Sequence, residues 1–405
     1  IFKRVWMLMT KKTTQLLAYQ GFVFSEETSH LSDPEFLNTL KCLDVAANAI
    51  KLRKHLAQID PTAALIFNPD AGWHPAAKGS FEHDGSTKNS NTSFRLLALR
   101  DRDIIRKMRL YCQAFTGYQL ATLEMAGKRP WLSRKLPDDW DETLKILAGP
   151  PTAALINYIK VSYSLPTELR AVPPRKFGEI GWLVDEAIVN DDTYVYQQII
   201  SLMYENGLID YLRDRLSKNG FLQIVEIGGG YGALAYYLTR IFEGHVHYAL
   251  IDLPESLAFA SIYCSTLFPD MEYGVIESTE SFALPREPGF TFVPNMLYHN
   301  LCVDDRLVDL CINTGSMAEM SATQVNDYCE SIGRFMGDTG IFFEQNHSEY
   351  PLGQEKVTTR LKDITIRHFK NLRKCTTTFV PTYPNKRGTA NFWVNLASRD
   401  QSLPK

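Results

Sequence analysis

No apolar run in this 405-residue sequence is long enough to cross a bilayer. Val5-Trp6-Met7-Leu8-Met9 falls far short of the roughly 20 residues that a spanning helix needs, and Lys11-Lys12 follow it closely. It is also too short for a secretory signal. Because the sequence begins at Ile1 rather than Met, its start carries no targeting reading. Seven cysteines, an odd number with no C-x-x-C pair, argue against a disulfide framework and against a zinc site. Scattered reduced thiols point to the cytoplasm. A net charge of −3 gives no global pull toward nucleic acid or an anionic membrane. The arginines between Arg95 and Arg109 alternate with Asp101 and Asp103, without interleaved aromatics, as on an exposed helix face. Internal repeats and long low-complexity tracts are absent. What remains is a globular composition, 45% hydrophobic and 22% charged, on a chain long enough for two compact units.

The chain is organised around residues 223–242, QIVEIGGGYGALAYYLTRIF. Gln223 to Ile227 is a short apolar run, as in a buried central strand. From Ala233 the period changes, with Ala233, Leu234, Tyr237, Leu238 and Ile241 on one helical face. Between them lies Gly228-Gly229-Gly230-Tyr231-Gly232, where a strand turns sharply into a helix and a ligand can approach the backbone. Two templates fit. Gly228, Gly230 and Ala233 satisfy G-x-G-x-x-G/A, which implies NAD, NADP or FAD. Glu226, Gly228, Gly230 and Gly232 satisfy E-x-G-x-G-x-G. Glu226 decides between them, because a carboxylate in an apolar strand end is costly unless partnered. A pyrophosphate has little use for it. S-adenosylmethionine has no phosphate but carries an ammonium and a sulfonium, so the stretch looks like the first motif of a class I S-adenosylmethionine-dependent methyltransferase.

Taken in order, residues 1–30 show little pattern beyond a short helix near Thr14 to Tyr19. Asp33-Pro34-Glu35 starts a helix reaching Leu56. Residues 69–92 read as a loop, with His74 and His83 solvated there. Helices are expected over 93–126 and 152–162. Asp192 can cap a helix from Tyr194 to Asn206, and a second runs from Leu208 to Ser217 and stops at Lys218-Asn219-Gly220. After the glycine loop, strands are expected at Val246–Leu253, Phe290–Pro294, Leu307–Asn313 and Ile341–Gln345. A terminal hairpin follows at Thr376–Val380 and Ala390–Leu396. Asp252 sits where a carboxylate can hold ribose hydroxyls. Asp252-Leu253-Pro254-Glu255 also reads as a capping box, and so, more strongly, does Ser321-Ala322-Thr323-Gln324. Asn295, just past the third strand, is placed to meet an adenine.

Several strings together resemble the sugar O-methyltransferases, class I enzymes associated with bacterial surface-polysaccharide synthesis. They are Val225-Glu226-Ile227-Gly228-Gly229-Gly230-Tyr231-Gly232, Ile251-Asp252-Leu253-Pro254-Glu255, Phe292-Val293-Pro294, and Ile312-Asn313-Thr314-Gly315-Ser316-Met317 with Glu319-Met320. The segment Asn190 to Leu212 is similar too, so the resemblance covers roughly 170–398. It implies an α/β, Rossmann-like fold, with a seven-stranded, mostly parallel sheet and helices on both faces, preceded by a mainly helical N-terminal region. It implies S-adenosylmethionine as donor and a sugar or glycan hydroxyl as acceptor. Glu226 and Gly228 would hold the methionine end, Gly230 would admit the backbone approach, and Asp252 would hold the ribose. Gly232 and Asn313, in the same strings, join the cofactor set. The corresponding division is a helical region over 1–175 with a substrate or oligomerisation role, a connector over 176–220, and a catalytic domain over 221–405.

A sugar hydroxyl is a poor nucleophile while protonated, so a general base is expected. His347, just past the fifth strand, is the first candidate and His299, after the third, the second; each also reads as an ordinary loop histidine. Asp304-Asp305 is the nearest acid pair for a metal, but adjacent acids more often cap a turn, and no metal is expected. Glu319 either orients the acceptor or faces solvent. Methylation of another small natural product, or S-adenosylmethionine binding without turnover, stays open.

Overall fold

The computed structural model describes residues 4–10, 13–19, 21–25, 30–68, 99–109, 153–302, 308–346, 360–377, 388–396 and 403. The chain divides into two compact units, Ile1–Phe36 with Leu97–Ser201, and Leu37–Leu96 with Leu202–Lys405. This division is not serial, since residues 37–96 group with the C-terminal part.

In the first unit, β1 (Arg4–Thr10) and β2 (Thr13–Tyr19) form an antiparallel hairpin, from Arg4 opposite Tyr19 to Thr10 opposite Thr13. The helix expected near Thr14 to Tyr19 is therefore a strand. So short a helix leaves most of its backbone groups unpartnered, whereas a facing strand of equal length satisfies them. A second antiparallel sheet joins β3 (Phe22–Phe24), β4 (Ile180–Val184) and β5 (Ala187–Val189). In the same unit Arg109 is buried against Glu179 at 2.7 Å and Asp192 at 3.2 Å. That ion pair takes Asp192 away from the capping role expected of it. Asn190 caps instead, its Oδ1 accepting from the Thr193 amide at 3.0 Å in the first turn of helix Asp191–Glu205. A helix also spans Ala153–Ser162, as its apolar spacing predicts.

Most of α1 (Asp33–Ile59) and all of α2 (Ala64–Phe67) belong to the second unit. Next comes α3 (Leu208–Asn219), which stops where Gly220 turns left-handed at φ 81°. The sheet then builds from β6 (Leu222–Ile227), α4 (Ala233–Ile241), β7 (Val246–Asp252), α5 (Pro254–Leu267), β8 (Glu272–Val275) and β9 (Gly289–Pro294). It continues through β10 (Leu310–Thr314), α6 (Ala322–Met336), β11 (Ile341–Asn346), α7 (Leu361–His368), β12 (Phe369–Thr377) and β13 (Gly388–Asn395). Among the described residues the strand order is β12-β13-β11-β10-β6-β7-β9-β8, eight strands. All pairs are parallel except those of β13 with β11 and β12.

The fold is thus the mostly parallel α/β sheet expected, with one strand more than seven. The extra strand is β8, a four-residue edge whose Glu272, Tyr273 and Gly274 are exposed, so it has no apolar run to announce it. The first hairpin strand starts earlier than expected because α7 ends at His368 and the chain passes directly into β12.

The central strands are buried along their whole length, as a parallel sheet covered on both faces requires. One face presents Val225, Ile227, Ala249, Ile251, Val293 and Cys311 to α6 and α7, where Val325, Ile332, Phe335 and Ile364 complete the core. The other face carries α3, α4 and α5. Ser321 and Gln324 form the capping box of α6, each side chain satisfying the other's backbone amide. The order reverses at β6, which lies between β7 and β10, and such a switch point opens a crevice at the carboxyl ends of the strands.

α1 is tied to this sheet by a buried, bidentate ion pair, Arg53 Nη1 to Glu255 Oε2 at 2.9 Å and Nη2 to Oε1 at 2.5 Å. Glu255 lies in the first turn of α5 and does not close a box on Asp252; the residue ahead of the helix, Leu253, makes no side-chain cap. Removing one partner strands a buried charge, so Arg53→Met or Glu255→Leu alone is expected to cost about 3–5 kcal/mol in urea unfolding. The double replacement Arg53→Met with Glu255→Leu is expected to recover most of that loss.

Candidate functional site

At the carboxyl end of β6 the chain turns sharply. Gly228, Gly230 and Gly232 all have positive φ, at 75°, 58° and 88°. Gly228 is fixed by its surroundings: a Cβ there would lie 2.0 Å from Ser316 Oγ, so this Cα is the floor on which the β10–α6 turn rests. Gly230 differs. Nothing lies within 4 Å of where its Cβ would stand, which leaves its backbone open toward the crevice. Its amide donates to Asp252 Oδ2 at 2.8 Å, while Asp252 Oδ1 accepts from the Leu253 amide at 2.7 Å. Gly232 begins α4 against Cys264 of α5.

Asp252, the last residue of β7, keeps part of its surface in the crevice. Withdrawal from bulk water pushes its pKa up to about 7, against the two amide donors that favour the charged form. Glu226 is fully buried, and burial pushes its pKa up to about 8, with the nearby Asp252 adding to the rise. The Tyr248 hydroxyl donates to Glu226 Oε2 at 2.9 Å and pulls the other way. An ammonium brought to this point would meet two carboxylates and reverse the cost of ionising them. A pyrophosphate would meet the same carboxylates as repulsion.

Asn313, at the end of β10, is committed to the frame. Its Nδ2 donates to Ile227 O at 2.8 Å and to Ser316 Oγ at 2.6 Å, and its Oδ1 accepts from Asn346 Nδ2 at 2.9 Å. Asn295 follows β9, and its amide donates to Asp252 O at 2.9 Å. Its Nδ2 donates at 2.6 Å to the carbonyl of Phe67, the last residue of the short helix α2, and Gln324 Nε2 donates to Ile66 O at 3.0 Å and Asn68 O at 2.8 Å. The end of α2 is thus held at the carboxyl ends of the strands. Glu226, Gly228, Gly230, Gly232, Asp252, Asn295 and Asn313 come together in the second unit around the switch point.

Of the two histidines, His347 lies outside the described residues, as do Asp304, Asp305, His74 and His83. His299 stands half-exposed in the turn Tyr298–Asn300. Its Nε2 approaches Asp327 Oδ2 of α6 at 2.9 Å. Burial lowers its pKa, helped by Arg334, while Asp327 is pushed up to about 6, mainly by burial. Glu319 is half-buried at the end of the turn Ser316–Glu319. Among the described residues, no group of His, Cys, Asp and Glu is arranged to hold a metal, and no helix is long and apolar enough to cross a membrane.

Sequence reading left three groups without a role. Tyr248 is one stranded residue among apolar neighbours and gave no signal. Ser316 sat within a recognised string, but only the fold puts it on Gly228. Glu344 and Asn346, polar residues ending an apolar strand, carried the same signal that singled out Glu226.

No family model and no curated protein matches this chain. Solved structures do. A Listeria monocytogenes protein described as a class I S-adenosylmethionine-dependent methyltransferase is 10% identical, over 78% of this chain and 90% of its own, at a TM-score of 0.37. A Clostridium acetobutylicum S-adenosylmethionine-dependent methyltransferase is 12% identical, over 51% and 98%, at 0.30. The N-methyltransferase NodS of Bradyrhizobium japonicum is 13% identical, over 45% and 91%, also at 0.30. These likenesses are distant and say nothing of substrate.

The pKa of Glu226 makes its contribution to stability depend on pH. In the unfolded chain the carboxyl ionises near pH 4.3, whereas in the folded chain it holds its proton to about pH 8. The unfolded state is therefore favoured increasingly as pH rises between those values. Glu226→Gln, which cannot ionise, is expected to gain stability relative to the unaltered protein from pH 5 to pH 8. Urea unfolding of both at the two pH values checks this; a constant difference would contradict it.

Proposed function

We propose that this chain is an S-adenosylmethionine-dependent O-methyltransferase that methylates a hydroxyl of a sugar or glycan intermediate. The observation that carries the reading is the pair of carboxylates flanking an open glycine turn: Glu226 buried behind it, and Asp252 bonded to the Gly230 amide at 2.8 Å. The residues fit the cofactor. Gly230 gives clearance for a ligand against the backbone. Asp252, with surface left in the crevice, is suited to ribose hydroxyls. Glu226 is suited to the ammonium of the methionine end, and Asn295 and Asn313 serve by holding the surrounding loops.

When bound, the cofactor supplies an electrophilic methyl group on a sulfonium. The chain's own part is orientation of the acceptor, exclusion of water, and removal of the hydroxyl proton. His347 is the first choice for that base, because in sequence it directly follows β11, and the carboxyl ends of parallel strands face such a crevice. His299, whose pKa partial burial lowers, is the second. The sugar class rests on the resemblance of the strings around Asp252, Pro294 and Asn313, and the cytoplasm is the setting that fits.

Thermal unfolding with S-adenosylmethionine, S-adenosylhomocysteine, NAD and NADP in separate samples tests the cofactor. A ligand at about a hundred times its dissociation constant adds about 2.7 kcal/mol to the folded state. A melting shift with the two adenosyl compounds alone is expected, and Asp252→Ala should abolish most of it. A shift with NAD or NADP alone would end the methyltransferase reading. Methyl transfer to a panel of sugar acceptors then tests the acceptor class, and transfer to none of them would remove it.

A further inference from the structure

Glu344 lies in β11, wholly buried, with its carboxylate enclosed by two side-chain amides. Asn346 Nδ2 donates to Oε2 at 2.8 Å, and Asn391 Nδ2, from β13, donates to Oε1 at 2.6 Å. Burial pushes its pKa up to about 7, against the Asn346 and Asn391 donors that favour the charged form. Ionised, the carboxylate is an acceptor only, and both bonds it accepts come from amide nitrogens, so it dictates which end of each amide faces it. With its nitrogen turned to Glu344, Asn346 gives its second hydrogen to Asn313 Oδ1 at 2.9 Å, and its own Oδ1 accepts from the Ala318 amide at 3.3 Å. Asn313 Oδ1 is then taken, also accepting from the Met317 amide at 3.2 Å. Its nitrogen is left to donate to Ile227 O, the carbonyl immediately before Gly228, and to Ser316 Oγ, the atom seated on Gly228.

The chain of bonds has one direction. It starts at an acceptor that cannot be turned round and ends on both loops that form the crevice. We infer that Glu344 is a positioning residue, whose carboxylate sets the polarity of the Asn346–Asn313 chain and so holds the Gly228–Gly232 loop and the Ser316 turn in their binding geometry. The inference rests on the methyltransferase reading only in taking S-adenosylmethionine as the ligand those loops receive. It also accounts for a charge-bearing group in the middle of a core that otherwise has no use for one.

Glu344→Gln tests it with little change of shape. A glutamine can accept from Asn346 only by turning its NH2 toward the NH2 of Asn391. Asn391 cannot turn in response without losing the bond its Oδ1 accepts from Asn371 Nδ2 at 3.1 Å. The full chain is compared with and without this substitution in two measurements. One is amide hydrogen exchange of residues 227–232 and 315–318 without ligand; the other is the dissociation constant for S-adenosylmethionine by calorimetry. Faster exchange at both loops and roughly tenfold weaker binding are expected. Adding Asn391→Asp puts an acceptor opposite the glutamine NH2 while still accepting from Asn371, so the double variant should recover both values. A folded Glu344→Gln variant with unchanged exchange would overturn the inference, as would failure of Asn391→Asp to restore it. If the unaltered protein does not bind S-adenosylmethionine, the methyltransferase reading fails, while the exchange data still decide the role of Glu344. Should Glu344→Gln not fold, Asn346→Ala cuts the same chain nearer the loops, and unchanged exchange there would equally overturn the inference.

Discussion

A carboxylate taken out of water must find donors, find a cation or keep its proton, and this constraint shapes the whole carboxyl edge of the sheet. Glu226, Asp252 and Glu344 stand at or near the ends of strands that are mostly apolar. Each answers differently. Asp252 takes two backbone amides, Glu344 takes two asparagines, and Glu226 has a tyrosine hydroxyl with burial holding its proton on. The first two turn their cost into order: the donors to Asp252 belong to the turns after β6 and β7, and those to Glu344 to strands β11 and β13, from which Asn346 passes the bonding on to Asn313. The third keeps an ionisation in reserve, which a cationic ligand would draw out.

Glycine geometry depends on the same polar frame. Gly228 and Gly230 both adopt a left-handed conformation, yet one is pressed by Ser316 and the other faces open space. The difference comes from Asn313, which brings Ser316 against the turn, and so from strands β10 and β11 rather than from the glycine motif. A loop that looks like a local sequence feature is in fact held from two neighbouring strands.

How much of this was legible in the sequence varies with range. The switch of period at Ala233, the stop at Gly220 and the capping box at Ser321 involve residues a few positions apart, and each appears where its pattern puts it. The central strands were legible because burial on both faces leaves an uninterrupted apolar run. Strand β8 was not, having an exposed, mixed composition, and β2 was misread because its partner strand lies on the other side of a turn. The Asp192 cap failed for a similar reason: an arginine distant in sequence competes for the carboxylate. At the site, Glu226 stood out as a charge in an apolar strand, and Glu344 carried the same mark. What no pattern could supply was that Asn313 reaches back across the sheet, or that Glu255 answers Arg53 rather than its own helix.

The polar frame also has a bearing on the order in which the protein is made. Asn313 meets Ile227 across 86 positions of sequence, Asn346 meets Asn313 across 33, and Asn391 meets Glu344 across 47. A ribosome releases the glycine turn long before it releases the asparagines that orient it. Contacts of such separation form late, after the chain entropy of bringing their strands together has been overcome. On the role inferred for Glu344, the glycine turn gains its full set of bonds only when the final hairpin docks, and a nascent or prematurely ended chain would carry the motif without them.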